Sequence, residues 1–398
     1  MNIEITQETD ISKVNSEVSD QEVDSIQKNP MIRTRQRVKA LLKKPQPIQR
    51  SKEWFHARNS IITASEVASC LTLSKKVCEK YVNLYNIKNF KYNDNKCANS
   101  YESLNDYIVK KCRAFYGENV FIDSVHTLWG KKYEQIAVNL YKKIKKTEVY
   151  EFGLLRHPYL KWLGASPDGI TPDGVMLEIK CPYSRKIKDN FIPFYYYTQV
   201  QQQLECCLLD EADYMECEIK EMNSLEEYNA CTDIKGIIIN NVLEPDNSES
   251  KYIYQDSNCS LNPLEWASLI LNKKHNQETT MNEEITMNEE TIMNEETIMN
   301  EETIMNKETI MNEETTMNEE IMNENLKIIY YKIPKYSILN IKRDQEWFNS
   351  VKDDIKKVHN TITFYQQNKE EFLKFKDFVY NIKNKKHIDS IENSVCLL

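Results

Sequence analysis

The stretch LGASPDGITPDGVMLEIKCPYS, residues 163–184, carries acids and a lysine that need partners. Asp168 follows Pro167 and precedes Gly169, a composition that breaks a strand into a turn. Val175, Met176, Leu177 and Ile179 read as a short strand, on which the two-residue period puts Glu178 and Lys180 on one face. Unpaired buried charge is expensive, so these two require a salt bridge or a metal ion. A third acid, Glu134, borders the apolar helical face formed by Tyr133, Ala137, Leu140, Tyr141 and Ile144. Taken alone, Glu134 reads more simply as a surface salt bridge. Taken together, Glu134, Asp168 and Glu178 supply the hard oxygen ligands that Mg²⁺ prefers, with the backbone carbonyl of Ile179 as a further donor. Such an ion would acidify a bound water and offset charge on a scissile phosphate, while Lys180 orients that water.

Elements able to position these groups are legible around them. Helices at about 127–146 and 193–209 bracket VYEFGLLRHPYLKWLGASPDGITPDGVMLEIK, which reads as a strand meander. Five of the seven glycines (130, 153, 164, 169 and 174) fall in this region, concentrating tight turns around Asp168. Helix, strands, then helix predicts an α/β or α+β arrangement around a central sheet. Farther on, LKIIYYKIP predicts a strand. Residues 343–367 predict an amphipathic helix with Trp347, Val351, Ile355 and Val358 at helical spacing. Between Met281 and Asn325 a Met-Asn-Glu-Glu hexapeptide repeats. Six residues advance a helix by about 600°, so no single apolar stripe forms. The repeat is expected to be a loop insertion in one core, with an acidic interaction tether as the other use. Residues 1–30 are polar and acidic and are expected to be disordered.

The net charge of −9 conceals an asymmetry. Residues 1–24 carry −6 and residues 281–325 carry −13, which leaves the remainder at +10 and open to a phosphate-backbone partner. Eleven cysteines with no CxxC pair favour reduced thiols, and argue against a disulfide scaffold or an iron–sulfur cluster. No apolar run approaches the roughly 18 residues of a membrane span. The N-terminus is unlike a leader, and Cys396 lies too near the end for a prenylation box. Intracellular residence, cytoplasmic or nuclear, is expected, with neither secretion nor a membrane partner.

ASPDG…LEIKCP resembles the PD-(D/E)xK nucleases, specifically the lambda-exonuclease-like, YqaJ-type viral recombinases. Four further blocks stand in the order of that family. They are QRSKEWFHARNSIITASEVA (49–68), WGKKYEQIA, YYYTQVQQQLECC and IKRDQEWF. The likeness covers roughly residues 45–275 and 326–370. It implies an α/β restriction-endonuclease-like core, with a central mixed sheet flanked by helices and interrupted by the low-complexity insertion. The expected organisation is an acidic N-terminus (1–30), a main nuclease part (31–275), the insertion (276–325), a C-terminal nuclease part (326–380) and a tail (381–398).

The resemblance also implies roles. Glu134, Asp168 and Glu178 look like metal ligands and Lys180 like the catalytic lysine. Arg58 and Ser65 match the family's pocket for a terminal 5′-phosphate, and Ser166 matches a small polar residue two before the Asp. Tyr196 and Gln199 match a helix pair beside metals and substrate. Tyr196, Gln199 and Gln203 share a helical face that could equally be a solvated polar stripe. Thr63-Ala64-Ser65-Glu66 could equally be a plain helix cap. His56 and His157 read as structural. The implied activity is a Mg²⁺-dependent exodeoxyribonuclease, with Mn²⁺ able to substitute. It would degrade linear duplex DNA 5′→3′ and leave 3′ tails for viral-type recombination or repair. A single-strand annealing protein or a helicase is the implied protein partner, and a homo-oligomer of unspecified symmetry the implied assembly. Two alternatives are a clusterless nuclease of a CRISPR-associated-like or helicase–nuclease system, and a non-catalytic DNA-binding scaffold.

Overall fold

The computed structural model describes residues 30–118, 123–245, 248, 250–271 and 325–395. Apart from Pro30 and Asn325, the acidic N-terminus and the hexapeptide repeat lie outside the described residues. The strands are β1 (Ile62–Thr63), β2 (Thr72–Leu73), β3 (Asn93–Cys97), β4 (Leu155–Arg156), β5 (Leu163–Ala165) and β6 (Gly169–Ile170). They continue with β7 (Met176–Lys180), β8 (Glu211–Met222), β9 (Ile234–Asn241), β10 (Tyr252–Tyr254) and β11 (Leu326–Lys342). The helices nearest the candidate site are α1 (Lys52–Asn59), α2 (Leu104–Phe115), α3 (Val125–Lys145), α4 (Phe194–Cys207) and α5 (Gln345–Gln367). The fold is α/β, as expected, with a six-stranded mixed sheet in the order β10-β9-β11-β8-β7-β6.

β7 and β8 run parallel, whereas the other pairs of this sheet are antiparallel. A parallel pair needs a crossover, and α4 supplies it. Alternation along β7 then divides its side chains between two layers. Met176 packs in the core shared with Tyr197, Val200 and Leu204 of α4. Leu177 and Ile179 pack with Tyr133, Ile136, Ala137, Leu140 and Tyr141 of α3. Ile144, expected on the apolar face of α3, is instead exposed near the end of that helix. β11 follows the repeat in sequence yet lies between β8 and β9, and α5 buries Trp347, Phe348, Val351, Ile355, Val358 and Ile362.

The expected meander is divided between two sheets. β4 pairs with β5, which runs parallel to β1 in a separate three-stranded sheet. β6 and β7 belong to the six-stranded sheet. Pro167 lies in the short segment between β5 and β6, and its missing N–H interrupts a ladder at that point. α4 ties the sheets together through glutamine amides. Gln202 Nε2 donates to the carbonyls of Ile62 (3.0 Å) and Gly164 (3.3 Å), one on β1 and one on β5. Gln201 Nε2 donates to Lys342 O (2.9 Å), while its Oε1 accepts from the Asp344 amide (2.7 Å) at the start of α5.

Ten cysteines among the described residues are free thiols. Among the described residues no helix is long and apolar enough to cross a membrane. His157 is buried, and its Nδ1 accepts from the amides of Tyr159 (3.1 Å) and Leu160 (2.9 Å). Burial, followed by Lys161, Arg37 and Lys44, lowers its pKa to about 4. The folded state therefore favours the neutral ring, and its contribution falls as pH drops from about 6.5 towards 4. His157→Gln retains an acceptor that does not titrate, so urea unfolding of this variant will show a shallower stability loss across that pH window than wild type.

Candidate active site

Glu178 has no solvent exposure. Its Oε1 accepts from Gln199 Nε2 (2.5 Å) and from the Lys180 ammonium, and its Oε2 accepts from Gln203 Nε2 (2.6 Å). Lys180 lies two residues along β7 and so shares the face of Glu178. Gln199 and Gln203 stand one helical turn apart on α4 and reach the same carboxylate. Both glutamines are buried, so the stripe that could have been solvated faces inward. The Lys180 ammonium also lies 4.9 Å from the Tyr196 ring centroid.

Asp168 precedes β6, and its Oδ2 accepts from the Ile179 amide (2.7 Å). This side-chain bond extends the β6–β7 pairing past Gly169↔Leu177. Burial, then Glu178 and Glu134, push the Asp168 carboxyl well up from its ordinary value, opposed by Lys180 and the Ile179 amide. Burial raises Glu134 as well, with Arg50 and Lys180 opposing and Glu178 adding to it. Burial disfavours charge on Lys180, but Glu178 and Asp168 outweigh it and keep the ammonium protonated. The carboxylates therefore sense one another's charge. Among the described residues, no three His, Cys, Asp or Glu side chains stand as a ready-made metal cage. Arg50, quoted only as part of the block 49–68 and given no role there, donates to Glu134 Oε2 at 3.3 Å.

A second cluster forms where α1 meets the 3-10 helix Ala64–Cys70. Arg58 NH2 donates to Ser65 Oγ at 3.4 Å, and its guanidinium carbon lies 4.2 Å from the Trp54 ring centroid. Trp54 Nε1 donates to Ser166 Oγ at 3.0 Å, joining the cluster to the segment that carries Asp168. Thr63 donates its amide (3.0 Å) and its hydroxyl (2.7 Å) to Glu66 Oε2, so the cap is present alongside the Arg58–Ser65 pair. Lys111 of α2 is buried, bridging Arg58 O (2.6 Å) and Glu66 Oε2 (2.9 Å). Burial raises the Glu66 carboxyl, but Lys111, Arg58 and Thr63 outweigh it and hold it down to about 2. With two cations set against one carboxylate, the cluster retains positive charge. Trp54 was visible only as part of a block. Lys111 had no motif, because its partners are 45 and 53 residues away.

A mixed α/β sheet bearing an acid, an acid-x-lysine strand and a facing glutamine helix is the arrangement that the motifs' resemblance implies. Residues 53–210 match the model of the YqaJ-like viral recombinase domain. An uncharacterized protein of Acanthamoeba polyphaga mimivirus is 28% identical over 292 residues, covering 63% of this chain and 48% of that protein. The chain thus spans about half the length of that curated relative. An alkaline exonuclease from Laribacter hongkongensis is 26% identical over 42% of this chain and 74% of its own, with a TM-score of 0.33. The same exonuclease in complex with dAMP gives 15% identity, 81% and 99% coverage, and a TM-score of 0.37. A phage-related exonuclease from Haemophilus somnus gives 11% identity, 76% and 95% coverage, and a TM-score of 0.33. These scores are too low for the superpositions to bear on the site.

Two consequences for stability are measurable. Gln203→Leu removes the donor to Glu178 Oε2 and leaves a buried charge short of a partner, at a cost of about 1–3 kcal/mol in urea unfolding. Lys111→Met strips Glu66 of its buried partner and costs about 3–5 kcal/mol, whereas Glu66→Gln combined with Lys111→Met recovers much of that loss. The Glu66 pKa is depressed from 4.5 to about 2. Its contribution is therefore complete above about pH 4.5 and declines as pH falls towards 2.

Proposed function

We propose that this chain is a divalent-metal-dependent deoxyribonuclease that degrades one strand of linear duplex DNA from its 5′ end, leaving 3′ single-stranded tails. The observation that carries this reading is the set of three mutually sensed carboxylates with Lys180 beside them, joined through Trp54–Ser166 to a positively charged cluster. The donor set suits Mg²⁺ or Mn²⁺, because Glu134, Asp168, Glu178 and the Ile179 carbonyl offer oxygen alone. Burial and mutual repulsion disfavour charge on Asp168 and Glu134, a penalty that a bound dication would relieve. When bound, the metal would acidify water and offset charge on the phosphodiester.

The chain's own residues supply the positioning. Gln199 and Gln203 fix the carboxylate plane of Glu178, so its oxygens do not depend on solvent for orientation. The charged Lys180 orients the attacking water and offsets charge at the phosphate. Arg58, with Ser65 and Ser166, receives a terminal 5′-phosphate through its planar fork of donors, and stacking on Trp54 holds that fork in place. Anchoring the end determines which phosphodiester meets the acids. On this reading the protein acts in recombination or repair of linear DNA within the cell that contains it. It does so beside an annealing protein or a helicase, and without an iron–sulfur cluster.

The test uses duplex DNA labelled on one strand, carrying either a 5′-phosphate or a 5′-hydroxyl, with a closed circle as control. In Mg²⁺, wild type will remove the phosphorylated strand and leave the circle intact. Lys180→Ala will abolish the activity, and Arg58→Ala will slow it chiefly on the phosphorylated end. Cutting of the circle, or indifference to the 5′ group, would remove the end-anchored exonuclease while leaving a nuclease. Absence of cleavage with either metal would leave a DNA-binding scaffold.

A further inference from the structure

Positive charge gathers where three distant parts of the chain meet. The helix Pro30–Leu42 carries Arg37, and Lys44 follows that helix. The β4–β5 hairpin carries His157 and Lys161, and α4 ends at Cys207. Arg37 Nε donates to Cys207 O at 2.9 Å, so it caps the carbonyl end of α4. Capping accounts for that one nitrogen. Arg37 NH2 is buried without a hydrogen-bond partner, which leaves part of a permanent cation unsatisfied.

The neighbours add to that deficit. Burial and then Arg37 lower the Lys44 pKa, with Cys207 opposing and Lys161 adding to the shift. After burial, His157 senses the same cations, Lys161, Arg37 and Lys44. No acid is among these influences, and among the described residues Arg37, Lys44 and Lys161 form no ion pair. Arg35, two residues before Arg37 on the same helix, does have one, with Asp173 at 2.7 Å. His157 Nδ1 accepts from two amides, so the neutral ring carries its proton on Nε2 and remains a donor there. Like charges that folding brings together without an acid match a ligand carrying the missing negative charge. Three cations exceed what one carboxylate neutralises, whereas a phosphate monoester holds nearly two negative charges on three acceptor oxygens.

We propose that Arg37, Lys44 and Lys161 form a phosphate-binding site separate from the Arg58–Ser65 cluster. Lys44 is half-buried and Lys161 exposed, and neither side chain is held by a hydrogen bond among the described residues. Both can therefore rotate and admit the anion to the Arg37 guanidinium. The ligand is a phosphate group, either free or within the backbone of DNA. Six residues separate Lys44 from Arg50, so their Cα atoms are at most about 22 Å apart. Arg50 bonds Glu134, and a duplex engaged at the acids is long enough to span that distance. The site itself does not depend on the nuclease reading.

The experiment uses the full chain with Arg58→Ala, so that the Arg58–Ser65 cluster does not contribute, in chelator and at constant ionic strength. Inorganic phosphate will bind this protein in a calorimetric titration. Adding Lys44→Met with Lys161→Met will weaken that binding by about 10-fold or more. The pair also removes like-charge repulsion, so without phosphate its melting temperature will be no lower than the parent's. A second arm measures affinity for a blunt duplex across a salt series. Its control is Lys374→Met, at an exposed lysine of the helix Lys369–Val395. Loss of phosphate binding supports a free phosphate as the ligand. Loss of duplex affinity with a salt slope reduced by about 1–2, Lys374→Met being unchanged, supports a backbone phosphate. The site is overturned if neither arm responds, if phosphate binding persists while Lys374→Met weakens the duplex equally, or if the pair melts lower. Both arms measure binding, so absence of cleavage would remove the nuclease reading and leave this site standing.

Discussion

The charge on Glu178 constrains much of what surrounds it. A carboxylate withdrawn from water costs several kcal/mol unless nearby donors replace its hydration. Lys180, Gln199 and Gln203 replace it here, and each is set by backbone geometry. The strand period aligns Lys180 with Glu178. The parallel pairing of β7 with β8 demands a crossover, and α4 brings the two glutamines to the same carboxylate one turn apart. The same helix uses Gln202 to hold the second sheet and Gln201 to hold the junction between β11 and α5. The run QVQQQ, whose polar face could have been solvated, is therefore a buried hub in which two amides share Glu178 and the other two reach the second sheet and the β11–α5 junction.

That hub marks the limit of what the sequence discloses. β7, the facing of Glu178 and Lys180, and the two bracketing helices are all local periodicities, and the structure has them. The glutamine stripe shows the same helical period whether it faces water or a carboxylate, so only tertiary contact decides. β11 was legible only in its first nine residues, LKIIYYKIP. Its continuation through Lys335, Ser337 and Asn340 is too polar to read as an inner strand, although β8 pairs with it there. The division of the meander was written at Pro167, yet a proline marks a break in pairing without saying which sheet each side joins. Two of the partners of Glu66 and Glu134, Lys111 of α2 and Arg50 before α1, had no role legible in the sequence, because their contacts span 45 and 84 residues.

Charge is partitioned on the two sides of Trp54. On one side, Arg58 and Lys111 outnumber Glu66, leaving a surplus of positive charge at Ser65. On the other, Glu134, Asp168 and Glu178 face Lys180 and Arg50, and burial with mutual repulsion raises Asp168 and Glu134. Short-range links connect the two sides. Arg58 is stacked on Trp54, and the Trp54 indole is bonded to Ser166, two residues before Asp168.

Those links relate the two regions through the chain from Trp54 to Asp168. Ser166 and Asp168 flank a proline whose φ is restricted, so the backbone between the Trp54 contact and the acid has little freedom. Asp168 is fixed in turn by the Ile179 amide, within the strand that carries Glu178 and Lys180. A phosphate held by Arg58 would thus be separated from the acids by a nearly invariant offset, set by one indole hydrogen bond and two peptide units. An enzyme that measures from a DNA end needs such a fixed offset, whereas a surface that only binds DNA does not. The proposed end-directed cleavage therefore draws its support less from the individual acids than from the Arg58–Trp54–Ser166–Asp168 connection.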